Sequence, residues 1–315
     1  MTLATVWRTL RARGVMGMNH RNGLFIGPLN PRHRYPDVDN KRLTKALAAR
    51  AGIPTPELYA VVGTNHRLRE VPALVAERPA FVVKPARGAA GNGIVLVTAH
   101  DRAGVTKASG ERLTWEEIIY HIAAILSGVY SLEGLEDEAL IEALVEVDPV
   151  FAAVTFRGVP DIRVVVYRGV PVMAMVRLPT RRSDGRANLH QGALGVGVAL
   201  GSGVTGSAVQ GRQMVTRHPD TGHAVSGIEV PLWPGVLEIA ARAYEIAGLG
   251  YLGVDLVLDR ARGPVLLELN ARPGLAIQLA NQDGLARRVR EVEDARLPEA
   301  SPVTERVALA RTLFA

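Results

Sequence analysis

Residues 263–278 read GPVLLELNARPGLAIQ. Val265, Leu266, Leu267 and Leu269 have the makings of a buried strand, yet Glu268 and Asn270 interrupt its end. An unpaired carboxylate buried there would cost several kcal/mol or take up a proton. Residues two apart on a strand share a face, so Glu268 and Asn270 point together. The preceding run, GVDLVLD, carries Asp255, and Arg262-Gly263 offers a turn between the two runs. Pairing across that turn brings Asp255 to the same place. Two carboxylates and one amide oxygen form a hard donor set suited to Mg²⁺ or Mn²⁺, with the rest of the octahedron left to phosphate oxygens and water. Alternatively, the acids are balanced by Arg260, Arg262 or Arg272 and hold no metal.

A second candidate is FVVKPARGAAGNGIVLV, residues 81–97. Lys84 stands in an apolar strand just before a turn containing Gly88, Gly91 and Gly93. Backbone N–H groups of such a loop can close over phosphate oxygens while a strand lysine neutralises them from the side. It is not a Walker loop, because the GK[ST] ending is absent and a strand follows it. An ordinary hairpin, with Lys84 snorkelling to solvent, is the plain alternative. Lysine is scarce in this chain: of 37 basic residues, 33 are Arg, leaving Lys41, Lys45, Lys84 and Lys107. A compact ammonium is thus kept where a guanidinium fork would not fit.

The elements that must position these residues are legible in outline. Leu3, Val6, Trp7 and Leu10 predict a short basic amphipathic helix over 3–13, and NGLFIGPLNPRHRYPDVDN reads as a loop region. Asp39 is placed to cap a helix, KRLTKALAARAG, that Gly52 ends. FVVKP and GIVLV are strands, and TWEEIIYHIAAILS (114–127) is a helix. DIRVVVYRGVPVMAMVRLP is a hairpin about Arg168-Gly169. A Gly-rich segment leads to a second hairpin at MVTRHPDTGHAV, and a helix over 235–247 precedes the acid-bearing hairpin. This is an α+β pattern of antiparallel hairpins rather than a βαβ ladder.

At 315 residues and 48% hydrophobic, the chain can build a sizeable core. It has no cysteine, which removes disulfides, thiolate metal sites and cysteine nucleophiles and fits a reducing, cytoplasmic setting. No apolar run reaches the length of a membrane span. The net charge of +6 is local: residues 1–50 hold ten basic and two acidic residues. Such a segment attracts anionic partners or is simply a solvated arm.

A strand lysine, a glycine loop, a later Asp and a closing Glu-x-Asn before Arg-Pro-Gly together resemble the ATP-grasp superfamily. GRANLHQGA (185–193) resembles the Arg-x-Asn-x-His segment of RimK-type glutamate ligases. DNKRLTKALAARAGIPTPE resembles the opening helix of that group, and DIRVVV and ELNARPGL its central and closing strands. The resemblance covers about residues 39 to 283. It implies an α+β ATP-grasp fold, two α+β halves with the nucleotide between them, lacking a full domain ahead of the grasp. The expected division is a basic arm over 1–38, an N-terminal half with the glycine-loop lid over 39–145, a catalytic half over 146–285 and a tail over 286–315.

Carried over residue by residue, the resemblance implies that Lys84 contacts the phosphates and the adenine ring, and that Gly88, Gly91 and Gly93 cover the phosphates. Glu142 would accept from the adenine amino group, with Glu146 as the alternative, and the backbone of Ala143 and Leu144 would line the hinge. Asp161 would hold the ribose, unless it is a surface partner of Arg163. Arg186 and Asn188 would lie on the phosphate side, His190 would be structural, and Lys41 would be a second nucleotide lysine. Asp255, Glu268 and Asn270 would hold two Mg²⁺ (or Mn²⁺) ions. The implied reaction is ATP-dependent ligation of a carboxylate to an amine through an acyl phosphate, adding glutamate or a similar amino acid to a peptide, protein or small acceptor. Arg186 and Arg272 would stabilise the charge that develops, and Arg272 stands where the relatives often have a small residue. The implied partners are ATP, a carboxylate and an amine acceptor, an acidic peptide or protein among them, and a further copy of the chain. Nucleic acid is not among them. Two alternatives remain open: a grasp-fold kinase of small molecules, and a nucleotide-binding regulator with little turnover.

Overall fold

The computed structural model describes residues 2–88, 91–131 and 134–315. Part of the glycine loop, Ala89 and Ala90, lies outside the described residues. The chain forms two compact units. The smaller comprises Asn40–Lys45 and Thr55–Glu146, and the larger comprises Met1–Asp39, Ala46–Pro54 and Val147–Ala315.

In the smaller unit the strands are β1 (Leu58–Val62), β2 (Phe81–Pro85), β3 (Val95–Asp101), β4 (Gly104–Lys107), β5 (Arg112–Thr114) and β6 (Ala139–Ala143). They make one antiparallel sheet in the order β1-β6-β2-β3-β4-β5. The helix predicted over 114–127 is observed at Trp115–Leu126. Thr114 and Glu117 form a reciprocal capping box at its start. Ile118, Ile122 and Ile125 recur at helical spacing and are buried in one core with Phe81, Val83, Val97 and Ile141. Asn40, not Asp39, caps the helix Lys41–Arg50: its Oδ1 accepts from the N–H groups of Arg42 (2.9 Å) and Leu43 (3.3 Å).

The larger unit holds β7 (Asp161–Tyr167), β8 (Val170–Leu178), β9 (Leu194–Val198), β10 (Thr205–Gln210), β11 (Gln213–Val215), β12 (Tyr251–Asp259) and β13 (Gly263–Asn270). These form a second antiparallel sheet, ordered β11-β10-β9-β8-β7-β12-β13. The turn between β7 and β8 has Arg168 at φ +46° and Gly169 at φ +78°. Two successive left-handed residues match the twist of the flanking strands. The helix Trp233–Ala247 buries Val236, Leu237, Ala240 and Ala243 against this sheet.

Two expectations change here. Residues 22–40, expected as a loop region, instead form successive helical turns over 22–29 and 32–39, and Met16, Phe25, Ile26 and Val38 join the core of the larger unit. Phe25 lies between Tyr167 and Tyr251, with ring centroids 5.9 and 5.8 Å away. Asn30 supports the segment by exchanging hydrogen bonds with the backbone of Tyr251. Most of 1–38 is therefore not a solvated arm. The tail is built in as well: Leu285–Asp294 and Val303–Leu313 are helices, and Leu285, Val289, Val292 and Phe314 are buried. Among the described residues no helix is long and apolar enough to cross a membrane.

Candidate active site

In the smaller unit, β2 pairs with β6 so that Val82 faces Glu142 and Lys84 faces Leu140. Glu142 is buried, at 2% exposure. Lys84 Nζ stands 2.5 Å from its Oε1, an ion pair rather than an aligned hydrogen bond. Lys45 Nζ stands 2.8 Å from Oε2 and donates to the Pro56 carbonyl at 2.6 Å. Without these ammoniums a carboxylate so placed would be untenable. Two cations thus face this one anion. Glu146, the alternative hinge acid, is exposed, so the buried position belongs to Glu142. Ala143 closes β6 with its N–H on the Glu57 carbonyl (2.8 Å), and Leu144 follows it.

Lys41 has a different task. Its Nζ donates to the Gly88 carbonyl at 2.5 Å and its N–H to the Ala86 carbonyl at 2.8 Å, fastening the first part of the glycine loop. The glycines are required by geometry. A Cβ on Gly88 would come within 2.2 Å of Pro85 Cγ, and Gly93, at φ +75°, lies against the Tyr130 ring. Gly91 is also left-handed, at φ +78°.

In the larger unit the hairpin joins the three metal candidates as its sequence period requires. Asp255 is directly opposite Glu268, and Gly253 is opposite Asn270. The register slips by one residue between Asp255 and Leu256, a bulge that ends the regular ladder beside the acids. Glu268 and Asn270 are half-buried, whereas Asp255 is 1% exposed. Its counter-charges are not Arg260, Arg262 or Arg272. They come from the two strands on its other side: β7 sets Arg163 opposite Asp255, and β8 sets Arg177 opposite Asp161. Arg163 grips Asp255 through Nε on Oδ1 and through Nη2 on Oδ2 (2.6 Å). Arg177 grips Asp161 through Nε (2.5 Å) and Nη2 (2.7 Å), and its Nη2 also donates to Asp255 Oδ2 (2.8 Å). Asn270 Nδ2 completes the cluster at 3.3 Å from Asp255 Oδ2. Arg163 is therefore the partner of Asp255, and Asp161 is no surface acid.

Asp255 accepts from both guanidiniums and Asp161 from Arg177 only, so the two carboxylates do not hold their charges equally. Burial drives the Asp255 carboxyl upward, but Arg163 and then Arg177 outweigh it and hold it well below the usual carboxylate range. Asp161 is pushed up to about 7, first by burial, with the charge of Asp255 adding to the effect and Arg177 opposing it. Arg177 is itself held protonated: burial would lower it, and Asp161 and Asp255 reverse that.

The remaining candidates sit on loops. Asn188 Oδ1 accepts from the His190 N–H at 3.0 Å and caps the turn Leu189–Gln191, while Arg186 and His190 are exposed. Arg272 is exposed, 3.8 Å from Asp39 Oδ2 and 5.2 Å from the Tyr35 ring centre.

A family model described as sugar-transfer associated ATP-grasp matches residues 20–294. The chain belongs to this family. The α+β ATP-grasp fold expected from the motifs is thereby shown, with the two antiparallel sheets described above. Over 229 residues this ATP-grasp chain is 27% identical to a probable alpha-L-glutamate ligase of Maridesulfovibrio salexigens, covering 73% of the chain and 54% of the relative. The chain thus spans about half the length of that protein. It is 26% identical over 279 residues to a protein of the same description from Legionella pneumophila, covering 88% and 70% of the two. Among solved structures, a RimK domain ATP-grasp protein from Sphaerobacter thermophilus is 16% identical, with a TM-score of 0.46 over 83% of this chain and 69% of the other.

The donor set fits a divalent cation of the Mg²⁺ kind in one particular way. Among the described residues, no group of three or more His, Cys, Asp or Glu side chains is arranged to hold a metal ion by itself. Two carboxylates and a carboxamide supply too few ligands for a closed cage, so an ion there has to complete its shell with phosphate oxygens and water. The oxygens of Asp255 already accept from both arginines, which leaves Glu268 and Asn270 the more accessible donors.

Three contributors escaped the sequence reading as site residues: Lys45, Arg163 and Arg177. Each left a signal. Lys45 is one helical turn from Lys41 and one of only four lysines, and Arg177 is the single charge in VPVMAMVRL.

Proposed function

We propose that this chain is an ATP-dependent carboxylate–amine ligase working through an acyl phosphate. The observation that carries the proposal is the buried Arg163–Asp255–Arg177 lattice set directly beside Glu268 and Asn270. The family and the description of its relatives as probable glutamate ligases support it. Asp255, Glu268 and Asn270 would hold Mg²⁺, which when bound neutralises phosphate oxygens. Lys84 would serve the nucleotide phosphates from β2, with the Gly88–Gly93 loop over them. Glu142 holds Lys45 and Lys84 in place and would take the adenine amino group. Asp161 would reach the ribose, and Arg186 and Asn188 the phosphate side.

A substrate carboxylate oxygen attacks the γ-phosphorus and ADP leaves. The amine nitrogen then attacks the acyl carbon, loses a proton, and expels inorganic phosphate as the amide forms. Arg186 and Arg272, both exposed on loops, are the cations available to the developing oxyanion. Glutamate, or an amino acid like it, is the proposed amine. The family's association with sugar transfer extends the candidate carboxylate substrates from peptides to sugar-linked acids.

The test is trapping. With ATP, Mg²⁺ and hydroxylamine, a panel of glutamate, acidic peptides and uronic acids should yield a hydroxamate with at least one member, in step with ADP. ADP release with no hydroxamate, or a phosphorylated product stable to hydroxylamine, would replace this proposal with a small-molecule kinase.

A further inference from the structure

The first 36 residues contain six arginines and no acidic residue. Their helix Leu3–Ala12 turns three large apolar side chains outward: Trp7 is 66% exposed, Leu10 44% and Val6 38%. Arg8, Arg11 and Arg13 are exposed around them, and the Arg11 guanidinium lies 5.9 Å from the Trp7 ring centre. The outward face is not a sign of a detached end, because the residues that follow are fastened to the larger unit. Ala286 N–H donates to the Gly14 carbonyl (3.0 Å), and Met16 exchanges backbone hydrogen bonds with the Gln278 side chain (2.8 and 3.0 Å). Beyond that anchor Met18 and Leu24 are again exposed. Five of the thirteen large exposed hydrophobics among the described residues fall within the first 24 residues, all interleaved with arginine. Single exposed apolar residues need no explanation, but a cluster rimmed by one sign of charge does.

We propose that this segment docks onto the surface of an anionic lipid bilayer. Guanidiniums on the flanks of an exposed indole match the two layers of such a surface, phosphates outside and acyl chains beneath. The helix presents a convex ridge rather than a groove, so it suits a deformable flat partner better than an extended peptide. It is too short to cross the bilayer, and three apolar side chains bury little area. The attachment is therefore peripheral, reversible and sensitive to salt.

Co-sedimentation of the full chain with vesicles tests this. Vesicles of phosphatidylcholine containing phosphatidylserine should bind about tenfold more protein than phosphatidylcholine alone, with binding falling as salt is raised. Trp7→Ser with Leu10→Ser, and separately Arg8→Gln, Arg11→Gln and Arg13→Gln together, should each reduce binding about tenfold. Both variants should keep the parent's urea midpoint, since the altered side chains are exposed. Equal binding to neutral vesicles, no binding to either kind, or full binding by both variants would overturn the proposal. So would retention on heparin unaffected by Trp7→Ser and Leu10→Ser in a protein that ignores vesicles, which would make the segment a general polyanion site.

Discussion

The smaller unit holds Glu142 between two lysines, and the larger holds Asp255 between two arginines. Both clusters are buried on the face of an antiparallel sheet, yet their surpluses are opposite. Lys45 and Lys84 exceed Glu142 by one positive charge, whereas Asp161, Asp255 and Glu268, if all ionised, exceed Arg163 and Arg177 by one negative charge. A triphosphate calls for the first kind of surplus and a divalent cation for the second. The cations differ in kind for a physical reason. An ammonium is a compact charge with rotatable donors and can exchange one oxygen for another, while the guanidinium fork fixes a carboxylate in two places. The lysine cluster is thus suited to exchanging partners, and the arginine cluster to holding geometry.

The sharpest way to break that comparison is Asp255→Asn. The change leaves Arg163 and Arg177 to share Asp161 within a buried site, and removing one partner of such a cluster destabilises by about 3–5 kcal/mol. Urea denaturation should show that loss, and Mg²⁺-dependent nucleotide binding should go with it. A change within about 0.5 kcal/mol, the size expected of a surface site, would mean that the lattice does not hold Asp255 as described.

Glu142→Gln should cost less, about 2–3 kcal/mol, because long lysine stems can carry their charges toward water when the anion is lost. A double-mutant cycle with Lys45→Met separates the pair from its surroundings. The lysine change should matter less once Glu142 is neutral. Additive losses would show that Lys45 acts through partners other than Glu142, the Pro56 carbonyl among them.

How much of this could be read from the residues themselves depended on distance along the chain. Asp255, Glu268 and Asn270 were legible because one hairpin joins them, and a strand period plus a short turn is local information. The helix Trp115–Leu126 was legible because TWEEIIYHIAAILS is likewise a local run of helix-compatible residues. The partners of Asp255 were not, since Arg163 and Arg177 lie 92 and 78 residues away and meet it only through the order β8-β7-β12. No periodicity encodes that order. Residues 22–40 misled in another way: Gly, Pro and Asn suggested a loop, but Phe25, Ile26 and Val38 had a core to enter and tertiary burial overrode local preference.

The finest distinction between the clusters is their response to pH, and it rests on Asp161. Its folded pKa of about 7 lies above the ordinary 3.8, so the native state holds its proton more firmly than the unfolded chain does. The associated stability is complete below about pH 4 and is lost as pH rises through about 7. Asp255 runs the other way: its contribution is present above 3.8 and lost only in strong acid. Asp161→Asn fixes that side chain neutral and removes the first slope while leaving the second. Urea denaturation from pH 4 to pH 8 should therefore show the two drifting apart, the variant gaining on the parent by up to about 4 kcal/mol toward and beyond neutrality, whatever constant offset the altered Arg177 contact adds. Parallel curves would show that Arg177 keeps Asp161 ionised throughout. The negative charge of Asp161 beside Asp255 would then be present even at pH 5, and metal capture at this cluster should not weaken through Asp161 between pH 7 and pH 5.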